Sequence, residues 1–158
     1  MKPNIAIADK NLTAICKSLN ECLADAHILY FKTRKFHWNV SGDNFMELHK
    51  LFESHYEQIQ EAIDEIAERV SQMGGVAIGT SSEFGSMSGL KESPGKNPAK
   101  NLDMVKELLH DHEAVIKSLR TKIDDYEDKY KDKGTTDFLT ALLQQHEKMA
   151  WTLRRYFK

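Results

Sequence analysis

Cysteine is nearly absent from this chain: 158 residues hold two, Cys16 and Cys22. Six residues apart in one helix, they stand about 9 Å apart along its axis, beyond disulfide reach. Both read as reduced, half-buried small hydrophobes, and no disulfide framework holds the fold. Proline is equally scarce, with three residues, which leaves long stretches free to be helical. No apolar run approaches the ~18 residues of a membrane span, and the first ten residues contain no apolar segment of the secretory kind. A cytoplasmic protein without membrane contact is the expectation. Charge of one sign is missing too: 22 Lys+Arg face 24 Asp+Glu, a net charge of -2. The basic excess of a dedicated nucleic-acid binder is therefore lacking. What remains, 41% hydrophobic and 29% charged, is the composition of one globular domain, expected to span residues 1–158. A chain of this length buries roughly 70% of its unfolded surface, so it needs no metal merely to fold.

The helix breakers are unevenly placed. Six of the eight glycines, Gly74, Gly75, Gly79, Gly85, Gly89 and Gly95, fall with Pro94 and Pro98 between positions 74 and 98. That stretch is a long crossover. Gly42 and Gly134 stand alone and mark short turns. After a tail of residues 1–8, four helices follow, over about residues 9–40, 43–73, 99–131 and 135–157. The first carries Leu12, Ile15, Leu19, Leu23, Ala26, Tyr30 and Thr33 at spacings of three and four. The second carries Phe45, Leu48, Phe52, Tyr56, Ile59, Ile63, Ile66 and Val70. Its start is offered caps by the Ser41-Gly42-Asp43-Asn44 turn, the third helix follows Pro98, and Thr135 or Thr136 would cap the fourth. A structureless loop as long as the crossover is uncommon, so a short helix is expected near residues 82–88. The fold class is all-α: a four-helix bundle with one long crossover, the connectivity of ferritin-like folds.

Beside the core stripe of the second helix runs a polar one. His49, Glu53, Asp64 and Glu68 fall within about 100° of each other around the axis. Imidazoles with carboxylates suit iron, manganese or zinc. Glu53 and Asp64 are about 16 Å apart along the helix, so one copy cannot bring them to a common ion. The numbering is nevertheless symmetric about the point between Gln58 and Ile59. Two copies of this helix crossing antiparallel on a two-fold axis would set His49 and Glu53 of one against Glu68 and Asp64 of the other, giving two equivalent sites. The like-charge pairs Glu53/Glu57 and Asp64/Glu68 each cost roughly 0.2–0.5 kcal/mol unless a cation lies between them. A solvated helix face is the plain alternative. His37, across the tight turn, is the nearest further ligand. An intra-bundle di-metal centre would need Glu-x-x-His on two helices, and only Glu107-Leu108-Leu109-His110 fits, so that pair reads as surface chemistry.

The block Phe36-His37-Trp38-Asn39-Val40-x-Gly42-x-Asn44-Phe45-x-x-Leu48-His49-x-x-Phe52-Glu53, followed by Asp64-Glu65-Ile66-Ala67-Glu68-Arg69 and Gly74-Gly75, resembles the Dps family of mini-ferritins. The resemblance implies a hollow homo-dodecamer with ferroxidase sites at its two-fold interfaces. It implies that His37, His49 and Glu53 from one subunit bind iron with Asp64 and Glu68 from the neighbour, zinc or manganese being possible surrogates. It implies that Fe(II) is oxidised, preferentially by hydrogen peroxide, and that ferric mineral is stored inside. The family commonly has Asp where this chain has Glu53, whose extra methylene lengthens the reach by about 1 Å. Trp38, beside His37, is implied to lie near the site, where related proteins are thought to use it to quench radicals.

Asp137, with Asp132 as second choice, is the expected carboxylate of an iron-access pore; an Asp favoured by the helix dipole is the competing explanation for both. DNA binding, the family's other familiar property, is expected to be weak. Lys2 is the only cation among residues 1–8, although twelve copies add avidity. Arg154, Arg155 and Lys158 form a modest basic end, read as a solvated helix terminus. A nucleoid-packing protein remains the alternative function. His27, His55, His112 and His146 show no partner pattern and read as surface or packing residues.

Overall fold

The structure, a computed structural model, describes residues 2–92, 95–96 and 100–157. Helix α1 spans Asp9–Asn39, α2 Phe45–Gln72, α3 Ser81–Met87, α4 Asn101–Asp125 and α5 Lys133–Arg154, with a π-helical turn, Tyr126–Tyr130, continuing α4. No strand occurs among the described residues. Pro94, Pro98, the expected helix start at 99, and Lys158 lie outside the described residues. None of the helices is long and apolar enough to cross a membrane.

The α1–α2 and α4–α5 hairpins make the four-helix bundle. On α1 the expected Leu12, Ile15, Leu19, Leu23, Ala26 and Thr33 are buried, with Tyr30 at the edge of the row, and Phe36 continues it; Leu108, Val115, Leu139 and Leu153 are buried on the other pair. On α2 the buried row is Leu48, Phe52, His55, Ile59, Ala62, Ile66 and Val70. Phe45, Tyr56 and Ile63, expected in that row, sit at its edge instead.

Between α1 and α2 the chain reverses within five residues. Val40 turns extended while its N–H still donates to the Phe36 carbonyl at 2.9 Å, and Gly42 adopts φ +86°. Phe45 N–H then donates to the Gly42 carbonyl at 3.0 Å. The expected side chains do not cap α2, whose first-turn position Asn44 makes no side-chain cap bond. A side chain at Gly42 would be strained by its left-handed φ. Gly42→Ala is expected to lower stability by about 1–2 kcal/mol, read as a lower urea midpoint at unchanged slope.

The short helix of the crossover, α3, is set by a capping box in which Thr80 and Glu83 satisfy each other's backbone N–H. It is anchored by Phe84, which is buried and stacked on His27 at 3.7 Å.

The C-terminal hairpin departs from expectation in two ways. The last turn of the third helix widens to π geometry, which turns Tyr126 wholly inward to donate to the Ile15 carbonyl at 3.1 Å. Lys131, left-handed at φ +54°, ends it. Helix α5 starts at Lys133, so Gly134 lies in its first turn and the cap is Asp132 rather than Thr135 or Thr136. The Asp132 carboxylate accepts the Thr135 N–H at 3.1 Å and the Thr135 hydroxyl, and Arg69 of α2 stands 3.7 Å away. Asp132→Ala removes the cap and leaves Arg69 short of its counter-charge. It is expected to cost about 2–3 kcal/mol in thermal or urea unfolding, with Asp132→Asn recovering much of the loss.

Candidate metal centre

The tight turn brings His37, on the last turn of α1, against His49, on the second turn of α2. Their rings stack with centroids 3.8 Å apart and 20° between planes. Each is tied to the other's backbone: His37 Nδ1 lies 2.8 Å from the His49 carbonyl, and His49 Nδ1 lies 2.9 Å from the His37 carbonyl. A carbonyl oxygen only accepts, so both Nδ1 atoms carry the proton. Both Nε2 atoms keep a lone pair, the tautomer a metal ligand needs. Two side chains read from sequence as core instead frame this pair. Phe45 tilts against His49 at 5.0 Å, and Tyr56 meets His37 edge-on at 5.2 Å. The phenol of Tyr56 is pushed above its ordinary value, first by desolvation and then by the carboxylates of Glu53 and Glu57. Trp38 is 63% exposed and holds Arg34, whose guanidinium lies 4.7 Å from its ring. Arg34 also lies against Tyr30 and Tyr56.

Glu53, one turn beyond His49, is half-buried, while Asp64 and Glu68 are exposed farther along α2. Among the described residues of one chain, no three His, Cys, Asp or Glu side chains converge at ligating distance. The structure thus joins His37 with His49 and leaves Asp64 and Glu68 on a separate stretch of the same helix. Glu68 shares a surface hollow with Glu65, Arg69, Phe138 and Asp137, the exposed carboxylate near the start of α5. Asp132, the second choice for the pore, is buried and caps α5. Glu107 pairs with buried Lys32 at 3.3 Å, beside Asp111 at 2.7 Å. Glu107 thus has a partner within the chain.

The sequence reading missed one cluster. His55 of α2, His112 of α4 and His146 of α5, taken separately as surface or packing residues, converge inside the bundle and are all buried. His112 Nδ1 and His146 Nδ1 are 3.0 Å apart, and the His55 and His112 rings meet edge to face at 5.8 Å. Burial pushes the pKa of His55 and of His146 down to about 4, and that of His112 down as well, with the neighbouring imidazoles adding to its shift. A signal existed. On α2 the row 48, 52, 55, 59, 62, 66 keeps the three-four spacing through His55, but an imidazole in an apolar row does not count toward a hydrophobic pattern.

Comparison with known proteins gives a consistent picture. A ferritin-like domain profile matches residues 16–158. An uncharacterized low temperature-induced protein of Nostoc sp. is 43% identical over 98% of this chain and 86% of its own length. DNA protection during starvation protein 2 of Bacillus anthracis is 32% identical over 90% of this chain and 95% of its own. Among solved structures, the Dps protein of Vibrio cholerae, described as a member of a broad superfamily of ferritin-like diiron-carboxylate proteins, superposes with a TM-score of 0.92. It is 25% identical and covers 99% of this chain and 97% of that one.

Proposed function

Because this chain belongs to the Dps family of ferritin-like proteins, we propose that it stores and detoxifies iron, oxidising Fe(II) at sites shared by two-fold-related copies of a twelve-subunit shell. The observation that carries this reading is the reciprocal His37–His49 pair, whose backbone bonds leave both Nε2 lone pairs free for an ion. His37, His49 and Glu53 come from one copy, and Asp64 and Glu68 from its neighbour. Three carboxylates and two neutral imidazoles fit Fe(II) as a substrate, with zinc and manganese as surrogates for the same donors. Their negative charge favours the ferric over the ferrous ion and so eases electron loss.

Two Fe(II) ions give one electron each to hydrogen peroxide, which takes up two protons and leaves as two waters. Delivering both electrons at one site avoids release of hydroxyl radical, which protects DNA and cell from oxidative damage. The ferric product passes inward and mineralises. Glu53, longer than the Asp common in the family, shifts the second iron position rather than removing a ligand. Trp38 is assigned as a near-site reductant for stray radicals, and Asp137, sharing a hollow with Glu68, as the carboxylate of the access pore.

The test is anaerobic mixing of Fe(II) with peroxide. His49→Ala and Asp64→Ala are each expected to slow oxidation by at least about 100-fold, and equal rates would remove the assignment. Light scattering should find about twelve times 18.1 kDa. A cytoplasmic location follows from this role. DNA is a secondary partner in this reading, because residues 1–8 offer Lys2 as their one cation and backbone neutralisation scales with the number of cationic contacts. A gel shift across a salt series is expected to show retardation at low salt only. Binding that survives physiological salt would favour nucleoid packing.

A further inference from the structure

The buried histidines outside the proposed ferroxidase site have a hydrogen-bond arrangement that leaves two nitrogens unmatched. Thr152 has one hydroxyl proton, and it goes to the Met149 carbonyl at 2.7 Å. Its oxygen therefore accepts from His55 Nε2 at 3.2 Å, which fixes the proton there and leaves His55 Nδ1 as a bare lone pair. That atom is buried without a partner, and so is His112 Nε2. His112 Nδ1 and His146 Nδ1 share one proton at 3.0 Å, and with His112 as its donor the unpartnered His112 Nε2 is a second bare lone pair, which is the tautomer an ion would select. Buried polar atoms are almost always satisfied, and an orphan calls for a water, an ion or a functional reason.

The spacing separates a proton from an ion. His112 and His146, which share a hydrogen bond, have centroids 5.1 Å apart, whereas His55 and His112 stand at 5.8 Å and share none. Two imidazole–metal bonds of about 2 Å each hold their nitrogens roughly 3.5–4 Å apart at a wide angle, beyond a hydrogen bond, and rings too far apart to share one leave room for that bridge. We propose that His55 Nδ1 and His112 Nε2 bind a soft monovalent cation of the copper(I) class between them, with His146 fixing the tautomer of His112 from behind.

The ion class follows from what surrounds the pair. Zinc asks for at least three protein ligands; His146, the third histidine, is engaged at Nδ1 of His112, and no group of three His, Cys, Asp or Glu is placed to hold one ion among the described residues. Mn(II) and Mg(II) favour oxygen-rich sets, and Fe(II) at imidazoles takes a carboxylate beside them, which the pair lacks. A divalent ion in a bundle interior without a carboxylate ligand bears a larger desolvation penalty than a monovalent one. Beside His146, on the side away from the pair's own ring contact, a cavity of about 20 Å³ lined also by Cys22 and Asp25 has room for one water-sized occupant. The site is independent of the proposed ferroxidase centre: it lies within one chain and uses none of that centre's ligands.

The test is an anaerobic copper(I) competition titration of the assembled protein against a chromophoric chelator, in a His49→Ala/Asp64→Ala background that disables the interface site. One copper(I) per chain should be retained there. Adding His112→Leu or His55→Leu should lower its affinity at least about tenfold. Unchanged uptake in those variants, no ion held against the chelator, or zinc bound equally well by the pair would each overturn the proposal. Should the leucine variants not assemble, copper-edge anomalous diffraction from loaded wild-type crystals decides. A peak between the two rings supports the site, and its absence leaves only a buried histidine chain and overturns it.

Discussion

Shells co-assembled from two inactive variants are expected to regain oxidation. One parent is His37→Ala/His49→Ala, the other Asp64→Ala/Glu68→Ala, each alone expected at background rate. If every site takes its imidazoles from one chain and its far carboxylates from the two-fold neighbour, a mixed pair contains one site with both halves intact and one with neither. Random mixing makes about half of all pairs mixed, so about a quarter of sites recover. Sites built within one chain would recover none, because each chain lacks half its ligands. The outcome follows from α2 geometry: Glu53 and Asp64 are about 16 Å apart on one rigid helix, and no chain by itself gathers three ligand side chains among its described residues. The measurement is single-turnover Fe(II) oxidation by peroxide after the two variants are unfolded, mixed and reassembled. Separately reassembled and then mixed shells are the control. Equal activity in both samples would end the shared-site assignment.

Much of this architecture was legible in residue order, for identifiable reasons. Glycine clustering located the crossover because helix interiors exclude glycine, and the three-four spacing of Leu and Ile marked the inner faces of α1 and α2. Ends were less legible. Asp132, two residues before glycine, looks like an exposed turn residue, yet its carboxylate is buried, bonded locally to Thr135 and set beside Arg69 of α2, a partner that only packing brings near. The π turn at Tyr126–Tyr130 leaves no mark in a 3.6-residue pattern.

The candidate centre divided the same way. His49, Glu53, Asp64 and Glu68 share a stripe, which spacing reveals. The reciprocal bonds between the His37 and His49 rings and backbones depend on the Gly42 turn, and those bonds decide which nitrogen is free. Phe45 and Tyr56 count as core by composition but line the site, because the α2 core row runs through His55 and Ala62 instead.

Acid should weaken this fold more steeply than its surface carboxylates alone would. Buried His146 has a pKa near 4, and that of buried His112 is shifted in the same direction, against about 6.5 in an unfolded chain. Between those values the unfolded chain binds the protons and the native chain refuses them, so native stability rises with pH across that window. It is complete above about pH 6.5 and falls as the pH drops toward 4. A displacement of this size at one residue corresponds to about 3 kcal/mol for His146. Since His112 and His146 are 3.0 Å apart, charging both is opposed by their repulsion as well as by burial, so below pH 4 opening of the bundle is favoured over full protonation inside it. Urea unfolding of wild type and of His112→Leu/His146→Leu from pH 4 to 7, with chelator present, measures the difference. The variant removes both imidazoles together, leaving neither without its partner, and fills the space with apolar volume. Its stability curve should lie flatter by several kcal/mol over that range, with shells still assembled at pH 4.5 where wild type loosens. Parallel curves would assign acid sensitivity to groups outside the histidine cluster.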